Sequence, residues 1–202
     1  MKLFAYLLIP FILFTIQKDK EYITSESFKF KFIKANKSRG YNYGYTIRTT
    51  KESKKVQVRL KMKSLSGEND DFDPNKFYLV CDENKTRIMP VDVRYNYAAG
   101  WIFVPFDYLV DFNITDKKLK QWLSYKPEIK NTFFDYKMEG YEDVCPTINF
   151  GTKRKPKVKT PYFDHEELKS CKLDVYFSLP KDIKDIKIYY ANVLLKETKL
   201  KK

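Results

Sequence analysis

The chain carries one histidine among its 202 residues. That scarcity argues against His-rich metal centres and most histidine-based catalysis. Cysteine is scarce too, and three thiols are too few to staple a miniprotein. Six glycines and nine prolines exclude collagen-like and linker-dominated chains. Gly-rich phosphate loops, Cys-x-x-Cys pairs and nucleophile motifs are missing, and so are internal repeats and Ser/Gly-rich linkers. These absences predict a non-enzymatic chain that uses no cofactor.

Aromatic residues and positive charge are plentiful. Sixteen tyrosines and sixteen phenylalanines favour pleated strands over helices. A hydrophobic fraction of 43% is enough to build a core and argues against wholesale disorder. The formal charge is +13, which attracts anionic partners. Lysine alternates with apolar residues along most strand candidates, so much of this charge is expected to coat solvent faces.

Residues 1–17 read as a secretory signal peptide. Lys2 supplies the positive start, and Leu3 to Ile16 form an apolar run too short to span a bilayer. Pro10 weakens any spanning helix further. Thr15-Ile16-Gln17 is the best cleavage candidate, and an uncleaved segment would act as an anchor. Export argues against nucleic acid as a partner and points to secretion, the periplasm or the cell envelope.

Residues 18–202 are expected to form one domain with an irregular insertion at about 139–170. Period-2 alternation recurs at Phe28/Phe30/Phe32, at Val56/Val58/Leu60/Met62 and at Leu173/Val175/Phe177/Leu179. A last strand starts at Ile186 and runs towards Leu195, and others are predicted near 43–50, 76–82, 86–95, 100–112 and 131–138. Asp82-Glu83-Asn84-Lys85 closes a hairpin. Short helical turns are predicted in 115–125 and, from the capping-box spacing of Asp164 and Glu167, in 164–170. Short strands joined by turns imply an all-β, antiparallel sandwich.

Two stretches carry a family resemblance. Phe72-Asp73-Pro74-Asn75-Lys76-Phe77-Tyr78-Leu79-Val80-Cys81-Asp82-Glu83-Asn84-Lys85 reads as a strand entering an acidic hairpin. Val175 to Tyr190 reads as an aromatic strand, a Pro180-Lys181-Asp182 corner and a following strand. With the strand at 56–63, this order resembles the telokin-like, immunoglobulin-like domains of unknown function in bacterial secreted proteins and lipoproteins. Asn84 stands where that hairpin usually has glycine, and the lipoprotein cysteine is absent. The resemblance implies an immunoglobulin-like scaffold and no particular reaction. It also implies a bacterial source, in which the sequons at Asn36, Asn84 and Asn113 carry little meaning.

Few residues are candidates for chemistry. Asp164-His165-Glu166-Glu167 is the one cluster with metal-ligand or acid/base residue types, and it is read as a capped turn with an exposed histidine. Cys145 and Cys171 flank the irregular segment, and a disulfide between them would stabilise by about 3–4 kcal/mol. Bridges to Cys81, or three free thiols, are the alternatives. The densest basic run, with Lys153, Arg154, Lys155, Lys157 and Lys159, is a candidate anion-binding loop. Tyr95 to Phe103 is read as cross-strand packing rather than a carbohydrate-stacking face. The expected role is an exported immunoglobulin-like module that binds a protein, a glycan or an anionic surface at the cell envelope. The alternative is a membrane-anchored structural or accessory envelope protein.

Overall fold

A computed structural model describes residues 21–37, 52–97, 100–103, 112–113, 130–146, 148–149, 154–155, 158–160 and 162–200. The signal segment 1–17, the strand expected near 43–50 and the helical turn expected in 115–125 lie outside these residues.

Alternation is what folds the first sheet. Strands β1 (Ile23–Ser25), β2 (Phe28–Lys37) and β3 (Ser53–Ser64) pair antiparallel in turn. β3 pairs β14 (Ser170–Pro180), which pairs β7 (Asp92–Tyr97), and β8 (Gly100–Phe103) closes the six-stranded row. The apolar phases of β2, β3 and β14 coincide in register, so Phe30 faces Met62, Leu60 faces Leu173 and Val58 faces Val175. All of these side chains are buried.

The second sheet runs β10 (Glu142–Val144), β6 (Thr86–Ile88), β5 (Phe77–Cys81), β15 (Asp185–Tyr190) and β16 (Val193–Lys199). An aromatic cluster joins the two sheets. Phe30 of β2 lies 5.7 Å from Phe77 and 4.7 Å from Tyr190, and Phe72 stacks on Tyr190 at 5.7 Å. The fold is therefore an all-β sandwich, with the abundant aromatics spent on its core. Its two described 3-10 turns are Pro74–Lys76 and Thr132–Asp135.

Several local expectations need correcting. The run 86–95 is two strands in different sheets, β6 and β7, because Pro90 cannot continue the ladder between them. The last strand is a hairpin, β15 and β16, turning at Ala191 with φ 52°. In the β5–β6 turn the left-handed residue is Lys85, with φ 52°, one place after the Asn84 that stands where the resembled hairpin has glycine. The strand expected at 131–138 is a 3-10 turn, because the Asn131 side chain caps Phe133 N.

The helical turn expected in 164–170 is strand β13 (Glu166–Leu168), antiparallel to β4 (Asp70–Phe72). Pairing and burial of Leu168 outweigh the local capping spacing. The segment 139–170 is also less irregular than expected. Besides β10 and β13 it holds β11 (Ile148–Asn149) and β12 (Val158–Lys159), which pair antiparallel, and β11 pairs β9 (Phe112–Asn113) in parallel.

Arg87 on β6 fastens the stretch before β10. Its guanidinium is fully buried, donates to both Asp143 carboxylate oxygens at 2.7 and 2.9 Å and to the carbonyls of Phe133 and Tyr136, and lies 3.9 Å from the Phe133 ring. Four of the five N–H donors are thereby used, with a carboxylate to balance the charge, the condition under which an arginine can be buried.

Candidate anion-binding face

The apolar side chains of β2, β3 and β14 turn into the sandwich, so the residues between them must turn out. Cross-strand register then fixes which outward residues meet. Lys29 of β2 lies opposite Lys63 of β3. One step along, Lys31 lies opposite Lys61, and Lys61 lies opposite Lys172 of β14. Directly opposed side chains stand about 5 Å apart, and next-but-one residues on a strand about 7 Å. Like charges so placed repel.

A bulge extends the pattern. Between Phe32 and Lys34 the register shifts by one residue, leaving Ile33 as an insertion. Lys34 thereby faces outward opposite Arg59, while Ala35 returns to the buried side opposite Val58.

The face has two halves with different electrostatics. Towards β7 the charges are paired and covered. Arg59 donates to both oxygens of the buried Asp174 at 2.6 and 2.7 Å, and Arg94 is paired with the buried Asp92. Gln57 donates to the Tyr176 hydroxyl at 3.2 Å, and the Arg94 guanidinium stands 5.3 Å from that ring. Burial pushes the Tyr176 hydroxyl well above its ordinary pKa, so it stays a neutral partner.

Towards β1 the face is open. Among the described residues, Lys29, Lys31, Lys61, Lys63 and Lys172 have no carboxylate within ion-pair distance, and Lys61, Lys63 and Lys172 are exposed. Their neighbour there is Tyr22, next to β1. The ammonium groups of Lys29, Lys31 and Lys63 each lie 5.7 Å from the centre of its ring. Such contacts favour each ammonium by about 0.5–1 kcal/mol at exposed sites.

The candidates read from the sequence are placed differently. Arg154 and Lys155 are exposed, and Lys159 belongs to β12, while Lys153 and Lys157 lie outside the described residues. His165 sits between carboxylates, with Nδ1 3.0 Å from Asp71 and Nε2 3.5 Å from Asp73. Among the described residues no group of three His, Cys, Asp or Glu side chains could hold a metal ion.

The expected Cys145–Cys171 disulfide is not formed, and all three cysteines are free thiols. Cys145 lines an apolar groove of about 290 Å³ with Ser178, Leu179 and Pro180, at one end of β14. Cys171 lies at the other end of that strand. Cys171 and Ser178 are seven strand steps apart, about 23 Å, whereas bridged Cα atoms lie within about 7 Å. Burial pushes the thiols of Cys145 and Cys171 up to about 11 and about 12. Neither is an activated nucleophile.

The sequence does not mark the lysine face as a site, because each strand alone shows only solvated alternation. The one signal present was the repeated Lys-x-Lys phase of Lys29/Lys31 and Lys61/Lys63.

No family model matches the chain, and no curated protein matches it. A solved structure similar in outline is an uncharacterized beta-sandwich protein from Clostridium difficile 630, with 5% identity, a TM-score of 0.37 and 87% of each chain covered.

Proposed function

We propose that this chain is an exported, non-enzymatic, immunoglobulin-like module that binds an anionic ligand at the cell envelope through the open half of its six-stranded sheet. One observation carries the reading. Lys29, Lys31, Lys61, Lys63 and Lys172 meet in register on one exposed face, with no acidic partner among the described residues. A fold selected for stability alone would interleave carboxylates there, since opposed like charges destabilise a sheet. An anionic ligand removes that repulsion. Export rests on the apolar run 3–16, and an uncleaved segment would add an anchor.

The test replaces Lys29, Lys61, Lys63 and Lys172 by Ser and compares retention on heparin with that of a second variant. The second variant carries Ser at Lys153, Arg154, Lys155, Lys157 and Lys159. The face variant should elute at clearly lower salt with an unchanged or higher melting temperature. Unchanged retention of the face variant, with loss in the loop variant, would transfer the role to the loop.

A further inference from the structure

Lysine side chains on a sheet ordinarily sweep a wide volume, because each has four rotatable bonds and a strongly hydrated head. Tyr22 alters that for three of them. It immediately precedes β1, whose Ile23 pairs with Phe30, and its ring reaches Lys29 and Lys31 on β2 as well as Lys63 on β3. All three ammonium groups stand 5.7 Å from one ring centre, so no two are more than about 11 Å apart. The ring gathers three cations that would otherwise separate.

From this geometry we infer that Tyr22, Lys29, Lys31 and Lys63 form a subsite for one tetrahedral oxyanion, a sulfate or phosphate ester group carried on a glycan. The inference rests on the lysine face being the ligand-binding surface. Three ammonium donors held around one ring can turn onto the three outer oxygens of such an ester, whereas a carboxylate offers two oxygens in one plane. Lys61 and Lys172 continue the row one strand spacing further, at about 5 Å per step, and receive a second anionic group of the same polymer.

A soluble polymer fits this face better than a lipid surface. Among the described residues, of the exposed large apolar side chains only Leu65 borders it, while Phe134, Val144 and Leu194 belong to other elements. Membrane association of a flat basic face needs several such side chains to insert. Tyr22 is a positioning residue here, because its hydroxyl takes no part and its ring acts through the lysines.

The experiment measures binding of the exported chain by calorimetry in 0.1 M NaCl. Its probes are heparin, a phosphorylated mannan, polygalacturonate and phosphatidylglycerol vesicles. The wild-type chain should bind the sulfated and phosphorylated polymers about tenfold more tightly than the carboxylate polymer at equal charge. Comparing the first two decides between sulfate and phosphate as the natural group. Tyr22→Leu should reduce the preference to about threefold or less without altering retention on a cation exchanger, and Tyr22→Phe should restore it. A second pair of variants is matched in charge, so that its comparison does not depend on the leucine variant folding. Lys31→Gln should lower the preference, and Lys172→Gln should leave it in place. Equal binding of all three polymers by the wild type, or a preference that survives both Tyr22→Leu and Lys31→Gln, overturns the subsite. Vesicles bound more tightly than every polymer overturn the glycan. Heparin binding that persists undiminished in the Lys29, Lys61, Lys63 and Lys172 serine variant instead overturns the lysine face itself.

Discussion

Cysteine behaviour in this chain follows from burial rather than from pairing. Cys145 and Cys171 are pushed up to about 11 and about 12, in both cases chiefly by desolvation. Raised values place the stabilising contribution below the ordinary thiol pKa of about 8.5, and it is lost as pH climbs towards 11. At pH 8 about one Cys145 in a thousand is thiolate, against about one in four for an exposed cysteine. Iodoacetamide should therefore label both residues at least about a hundredfold more slowly in native protein than in urea. Mass spectrometry after urea, without reductant, should count three carbamidomethyl groups. A count of one would mean that a disulfide exists and that the free-thiol geometry is wrong.

Turns are where the elements of this sandwich carry strain. Ala191, in the two-residue turn between β15 and β16, has φ 52° and is 4% exposed, with its N–H donating to Lys76 O at 2.9 Å. Left-handed backbone costs a non-glycine residue about 1–2 kcal/mol. Glycine would relieve it, but it loses a buried methyl worth about 0.8 kcal/mol and adds about 0.5–1 kcal/mol of chain entropy to be lost on folding. These effects offset one another, so Ala191→Gly should leave the urea midpoint nearly unchanged. Ala191→Val has no such compensation, since a β-branched side chain is worse in this region and the site is enclosed. It should destabilise by about 2 kcal/mol or more, read from the same denaturation curve. A valine variant as stable as wild type would show that the hairpin turns in another way.

For the molecule as a whole, a net charge of +13 leaves five lysines opposing one another on the open half of the sheet. Two charges 5 Å apart in water repel by about 0.8 kcal/mol. Raising salt from 0.01 to 0.1 M shortens the screening length from about 30 to about 10 Å, which removes part of each repulsion. Stability should then rise by about 1 kcal/mol in total, or roughly 2–4 °C in melting temperature for a chain of this size. The variant with Ser at Lys29, Lys61, Lys63 and Lys172 should show a visibly flatter salt profile in calorimetry. An equal slope in both proteins would place the repulsion elsewhere.

Strand identity was legible in the sequence wherever one face is buried. Val56 to Met62 and Leu173 to Leu179 alternate because a pleated strand sends successive side chains to opposite sides, and that period is a local property of the chain. Pro180 ending β14 was legible because proline has no N–H for the ladder, and so was the strand that starts near Ile186. The β13–β4 pairing was not legible, because burial of Leu168 outweighs a capping signal only once a partner strand exists. The separation of Cys145 from Cys171 depends on which end of β14 each one meets. The lysine face depends on register between strands far apart in sequence, including the inserted Ile33 that returns Lys34 to the outer side. By itself the sequence determined the long alternating strands, the sandwich class and the excess of positive charge, all of which follow from local period and composition. Only the tertiary structure decided where that charge gathers, because hydrogen-bonded register sets the neighbours of each outward lysine.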